Sequence, residues 1–154
     1  ATMLICELAA VYKKRGMTLF DGLMELYEKY GFYKEGIKSI TLKGIDGVRK
    51  IGEIMDSFRQ NPPTMLCGKR IEWVRDYKKA EFSNILTGEK QENKLPKSNV
   101  LHYTIEDGSW FCVRPSGTEP KIKIYYGVKG TNMEDSFNLC NLMEKELSSI
   151  IDKI

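Results

Sequence analysis

Residues 111–126, FCVRPSGTEPKIKIYY, concentrate the side chains that hold an anion. Arg114 carries a planar guanidinium suited to two-pronged contact with a phosphate. Pro115 fixes the backbone direction. Gly117 permits a conformation that turns successive N–H groups to one side, a concavity favouring anions. Ser116 and Thr118 add hydroxyl donors. Beyond the loop, strand alternation places Lys121 and Lys123 on one face and Ile122 and Ile124 on the other, so an ammonium can lean over the loop mouth. The set makes a cradle for a dianion and lacks a nucleophile, because Ser116 has no general base or metal site beside it. On local chemistry alone, an ordinary hairpin loop built from Pro, Ser and Gly is the competing reading.

Several elements must position this loop. The apolar stripe Leu4, Leu8, Val11, Tyr12 predicts a helix over about 2–15, stopped at Gly16. Thr18 with Asp21 predicts the capped start of a second helix, giving a helical hairpin too small to fold alone. Residues 33–44 alternate as a strand. Val48, Ile51, Ile54, Met55 and Phe58 return to helical spacing until Asn61 and two prolines end it. Residues 69–79 read as a strand, and the polar residues 81–98 as an exposed loop. Two alternating runs around Asp107 and Gly108 predict a hairpin. A strand follows the loop. A last helix begins near Asn132, with Met133, Phe137, Cys140, Met143, Leu147 and Ile150 on one face. The expected class is α+β: an antiparallel sheet of about four strands with two helices on one face, preceded by an α-helical hairpin. The division expected is 1–32 and 33–154.

Composition excludes several functions. The chain has 154 residues, 42% hydrophobic and 29% charged, with a net charge of +3. That balance suits a packed core and a solvated surface, not a nucleic-acid stripe. Cys6, Cys67, Cys112 and Cys140 are scattered, and His102 is the sole histidine, so no zinc pattern exists. The cysteines read as buried thiols of a reducing, cytoplasmic compartment. No leader and no apolar run of about 18 residues appears. His102 reads as a strand-face residue, and Trp73, Trp110, Tyr125 and Tyr126 as core aromatics.

RPSGTEPKIKIYY resembles the phosphate-binding loop of the α-D-phosphohexomutases, whose hallmark is RxSGT followed by a strand. Residues 95–128 resemble the long bacterial phosphoglucomutases throughout, and the opening helices resemble the end of the family's third domain. The similarity extends over essentially the whole chain. It implies a C-terminal domain of TATA-binding-protein-like fold, following the terminal helices of the preceding domain. It also implies that Arg114, Ser116, Gly117 and Thr118 bind the non-reacting phosphate of a hexose phosphate. Lys123 falls where some relatives place a second arginine, though lysine lacks the bidentate fork.

The family's phosphoserine loop, its DxDxD metal loop and its sugar-selecting loop are absent from the sequence, and Glu106–Gly108 reads as a turn. The expectation is therefore a fragment with no catalytic residue and no metal or cofactor of its own. It is expected to be inactive alone and to partner the other domains of an isomerase. Magnesium and a hexose 1,6-bisphosphate are implied only for the full-length enzyme. Neither nucleic acid nor membrane is an expected partner. A non-enzymatic anion- or RNA-binding α+β module stands as the alternative. So does an oligomerisation domain, with a bare first-helix stripe as its cause. The choice among glucose, mannose and glucosamine phosphates stays open, with the C-terminal half favouring glucose.

Overall fold

The computed structural model describes residues 1–42 and 44–154. Among these residues there are four helices: α1 (Thr2–Lys14), α2 (Leu19–Tyr30), α3 (Gly44–Gln60) and α4 (Met133–Asp152). Eight strands complete the fold: β1 (Phe32–Thr41), β2 (Met65–Leu66), β3 (Lys69–Asp76), β4 (Glu81–Asn84), β5 (Lys90–Glu92), β6 (Leu101–Ile105), β7 (Trp110–Pro115) and β8 (Lys121–Gly130). The sheet order is β1-β8-β7-β6-β3-β4-β5, with β2 beside β3, and every pairing is antiparallel. The α+β class and the one-sided helices hold.

The strand count of about four was too low, because eight strands form among the described residues. Residues 81–98, expected as an exposed loop, supply β4 and β5. Their hairpin turns on Asn84, whose Oδ1 accepts from the amides of Leu86 and Thr87 at 2.9 Å, and on Gly88 at φ 73°. These strands are short and polar, so no apolar alternation announces them. Phe82 is their anchor, stacked on Trp73 at 4.5 Å.

The core lies between the sheet and α3 and α4. Cross-strand register puts Tyr103, Phe111 and Tyr126 on one rung, and Leu101, Val113 and Ile124 on another. All six are buried. Phe58 of α3 tilts onto Tyr103 and Phe111 at 6.1 and 6.3 Å, and the Tyr103 hydroxyl donates to the Phe58 carbonyl at 2.9 Å. Burial of each such side chain contributes about 1.5–3 kcal/mol. From α4 come Cys140, Met143, Leu147 and Ile151. Phe137 instead lies outward beneath the Lys34 ammonium, 3.9 Å from the ring centre. Ser136 is the buried residue at that turn and Ile151 is more buried than Ile150 at the far end, while Cys140, Met143 and Leu147 face inward as predicted.

A buried ion pair closes the β3–β4 corner. Arg59 Nε donates to Asp76 Oδ2 at 3.1 Å, with both side chains under one-tenth exposed. Asp76 Oδ1 accepts from the amides of Lys78 and Lys79 at 3.0 and 3.3 Å.

The helical hairpin forms as the sequence predicts. Thr18 and Asp21 make a reciprocal capping box, with the Asp21 amide donating to the Thr18 hydroxyl at 3.1 Å. The Tyr12 ring lies against Gly22, where a Cβ would come within 2.2 Å of it. The stripe of α1 is uncovered, with Leu4 71% exposed.

Candidate anion-binding site

The face of the sheet opposite α3 and α4 carries the chemistry. Antiparallel register places Arg114 directly across from Lys123, and Lys123 across from Ser39 of β1. One rung further, Lys121 faces Thr41, and the Ser116 amide donates to the Lys121 carbonyl at 2.8 Å. Alternation assigns Arg114, Ser116, Lys121, Lys123, Ser39 and Thr41 to this one face, away from buried Ile122 and Ile124. Of the predicted site residues, the structure brings Arg114, Lys123 and Ser116 together. Gly117 and Thr118 sit exposed at the loop tip immediately beyond.

Neither Arg114 nor Lys123 makes an ion pair with a carboxylate among the described residues. Like charges opposed across a sheet are destabilising, so this placement costs the fold and favours a bound anion. The Gly117 and Glu119 amides make no hydrogen bond among the described residues, and that of Thr118 makes only a long one, 3.5 Å to the Ser116 hydroxyl. Gly117 is not in the left-handed region, and a Cβ there would meet nothing within 4 Å. The conformational reason expected for Gly117 is therefore not needed in this loop. Close approach of a ligand is what a side chain there would obstruct.

Behind the cations the open face turns aromatic. His102 stacks on Trp110 at 5.5 Å, and Trp110 in turn lies over Gly127, where a Cβ would come 2.6 Å from the indole nitrogen. Trp73, Trp110 and Tyr125 were expected in the core, but only Tyr126 enters it. Burial pushes the Cys112 thiol up to about 11, against the opposing pull of Arg114. Cys67 likewise stands at about 11, through burial and the nearby Glu146. Cys6 is exposed, contrary to its reading as a buried thiol. All four cysteines are free.

Burial, reinforced by Arg75, holds His102 below its ordinary value of 6.5. Its Nδ1 is buried without a partner among the described residues. The unfolded chain then takes up the proton first as pH falls. Stability should be fully present above about pH 6.5 and decline below it, until the folded histidine itself titrates. Thermal melts at about pH 7.5 and about pH 5 should show that loss, and His102→Gln should flatten it. An unchanged slope in the variant would assign the loss to other groups.

A surface groove of about 670 Å³ lies elsewhere, between Lys38 and α4. Its lysines are interleaved with Glu144 and Asp152, and Lys38 is already paired to Glu144 at 3.2 Å, so it offers no concentrated positive charge. Among the described residues no three of His, Cys, Asp and Glu gather as a metal set, and no helix is long and apolar enough to cross a membrane.

Ser39 and Thr41 were not among the predicted site residues. Their own strand was legible, but its pairing with β8 was not. Lys121 was placed on the correct face by alternation alone.

The profile of the phosphoglucomutase/phosphomannomutase C-terminal domain matches residues 68–134, which include the loop. A phosphoglucomutase of Staphylococcus aureus (strain bovine RF122 / ET3-1) is 36% identical over 140 residues, covering 91% of this chain and 25% of the relative. That of Staphylococcus saprophyticus is 34% identical over 122 residues, covering 79% of this chain and 22% of the relative. The crystal structure of parafusin (phosphoglucomutase) from Paramecium, in its open form, superposes with a TM-score of 0.48 at 13% identity, over 88% of this chain and 23% of that one. The chain thus spans about a quarter of the length of the curated relatives it matches. The profile falls on the hairpin that presents Arg114, and the likeness to the staphylococcal enzymes continues over nearly all of the chain; residues 68–134 belong to the C-terminal domain family of the phosphoglucomutases and phosphomannomutases.

Proposed function

We propose that this chain grips the non-reacting phosphate of a hexose phosphate, as the phosphate-holding part of a phosphoglucomutase-type isomerase. The observation that carries the reading is the unneutralised pair Arg114 and Lys123, opposed on the open face at the mouth of the loop. Arg114, Ser116, Thr118 and Lys123 supply the charge and donors, and Gly117 leaves the approach clear. Held this way, the phosphate fixes the sugar while its other end reacts on residues outside these 154. Residues 1–32 are the end of the preceding domain, and their bare stripe is a surface for the rest of such an enzyme. The relatives' name favours glucose phosphates. Four free thiols suit a reducing, cytoplasmic setting.

Magnesium does not fit here: the described donors form no set for it, and no step of this chain's role is routed through it. The RNA-binding alternative asks for cations spread over the whole open sheet. Instead, on the open sheet, Arg75 lies over Phe82 and Lys129 over Tyr33, while Arg114 and Lys123 beside the loop have neither an aromatic nor an acidic partner among the described residues.

An amide NMR titration tests the reading. Inorganic phosphate and glucose 1-phosphate should move the resonances of residues 114–119, and glucose should not. Affinity in the millimolar range is expected for one isolated wall of a cleft. Still amides at the loop, with an RNA oligomer perturbing the sheet, would transfer the case to the alternative. These 154 residues alone, given glucose 1-phosphate and glucose 1,6-bisphosphate, should show no mutase turnover above the blank in a coupled assay. Measurable turnover would overturn that part of the proposal.

A further inference from the structure

The loop contains one carboxylate, that of Glu119, in a site built to hold an anion. Glu119 is exposed, and its Oε2 lies 3.1 Å from the Lys121 ammonium. The Glu119 carbonyl accepts from the Lys121 amide at 2.7 Å, a tight turn that sets the two side chains together at the base of the loop. Lys121 belongs to the same face as Arg114 and Lys123, across from Ser116 on one side and Thr41 on the other. Its ammonium is thus the third cation of the cluster, and the one that already has a carboxylate partner.

We infer that Lys121 is a further phosphate-binding residue, which exchanges its Glu119 partner for the ligand when a phosphate enters. The inference rests on the phosphate-gripping reading above. An exposed lysine–carboxylate pair contributes little to stability, so breaking it is cheap. A dianion offers Lys121 more charge than a single carboxylate does, and Arg114 and Lys123 are already placed to share it. Glu119 then acts as the competitor. It occupies Lys121 while the site is empty, and a ligand with less charge than a phosphate dianion gains too little from Lys121 to displace it. The exchange tunes the loop toward phosphate monoesters as dianions.

A double-mutant cycle read by phosphate titration of the loop amides separates this from simple neutralisation. Glu119→Gln should tighten inorganic phosphate about three- to tenfold, because Lys121 no longer has to leave a partner. Lys121→Ala should weaken it about five- to tenfold in the wild-type background, and by at least as much in the Glu119→Gln background. If Lys121 only neutralises Glu119, its removal changes nothing once Glu119 is gone, and that result overturns the inference while leaving the phosphate-gripping reading intact. Failure of the wild-type loop to bind phosphate at all would bring down both. Lys121→Arg, which keeps the charge, should retain binding, guarding against a loop that merely loses its shape.

Discussion

Arg114→Ala is expected to weaken phosphate binding at the loop by about tenfold to a hundredfold, the worth of a charge-assisted, two-pronged contact. The fold should not suffer. Arg114 is exposed and makes no ion pair among the described residues, and its removal relieves the repulsion with Lys123. The thermal midpoint should stay level or rise slightly while affinity falls. This opposition of signs distinguishes a binding residue from a structural one. Arg114→Lys should recover part of the affinity, since it restores charge but not the planar fork. Loop amides that respond to phosphate undiminished in Arg114→Ala would remove Arg114 from the site. Circular dichroism and chemical-shift dispersion of the variant check that the protein compared is folded.

The largest loss of stability is expected from Asp76→Ala, about 3–5 kcal/mol. The substitution removes the buried carboxylate of the Arg59 guanidinium, leaving it only the Asn99 side chain and the exposed Asp56 at 3.7 Å, and frees the Lys78 and Lys79 amides at once. Domains of ordinary size are stable by only about 5–15 kcal/mol, so the variant should melt roughly 6–20 °C lower. Replacing both partners by apolar residues, Arg59→Met with Asp76→Leu, should cost much less, because no buried charge remains. Denaturant titration of the single and double variants measures the difference. A single variant as stable as the double would show that water reaches Arg59 freely.

Elements whose own residues carry a strong period were legible in the sequence. The Asp107–Gly108 hairpin is one: it turns on Gly108 at φ 84°, with the Ile105 amide donating to the Ser109 carbonyl at 2.8 Å. The Thr18–Asp21 capping box is another. In both, the determining contacts span a few residues. Legibility failed where the deciding neighbour is distant. Phe137 and Ser136 exchange roles because the packing of α4 on β1 and β8, and not helical spacing, chooses the inward residue. Trp110 reads as a core aromatic from its apolar flanks, yet pleating turns it to the open face, over Gly127 of the next strand. At the candidate site, Arg114, Ser116, Gly117, Thr118 and Lys123 were singled out from local chemistry and the family resemblance. The absence of a carboxylate facing Arg114 and Lys123, and the hydroxyls of Ser39 and Thr41 beside them, emerged only from the register of β7, β8 and β1.

That register also bears on how the site comes into being. β1 pairs with β8 along its full length, from Phe32 against Gly130 to Thr41 against Lys121, a closure that bridges about half the chain. Pairings of such sequence separation carry a large loop-closure entropy and form late in folding. The β7–β8 hairpin that holds Arg114 and Lys123 is local and needs no such wait. On loop-closure grounds the cationic pair is expected to close before its β1 hydroxyl neighbours arrive, which would leave an unscreened anion trap on an unfinished sheet edge. A polyanion in the refolding buffer would meet that intermediate first, and phosphate would act on the path to the native state as well as on the native state itself.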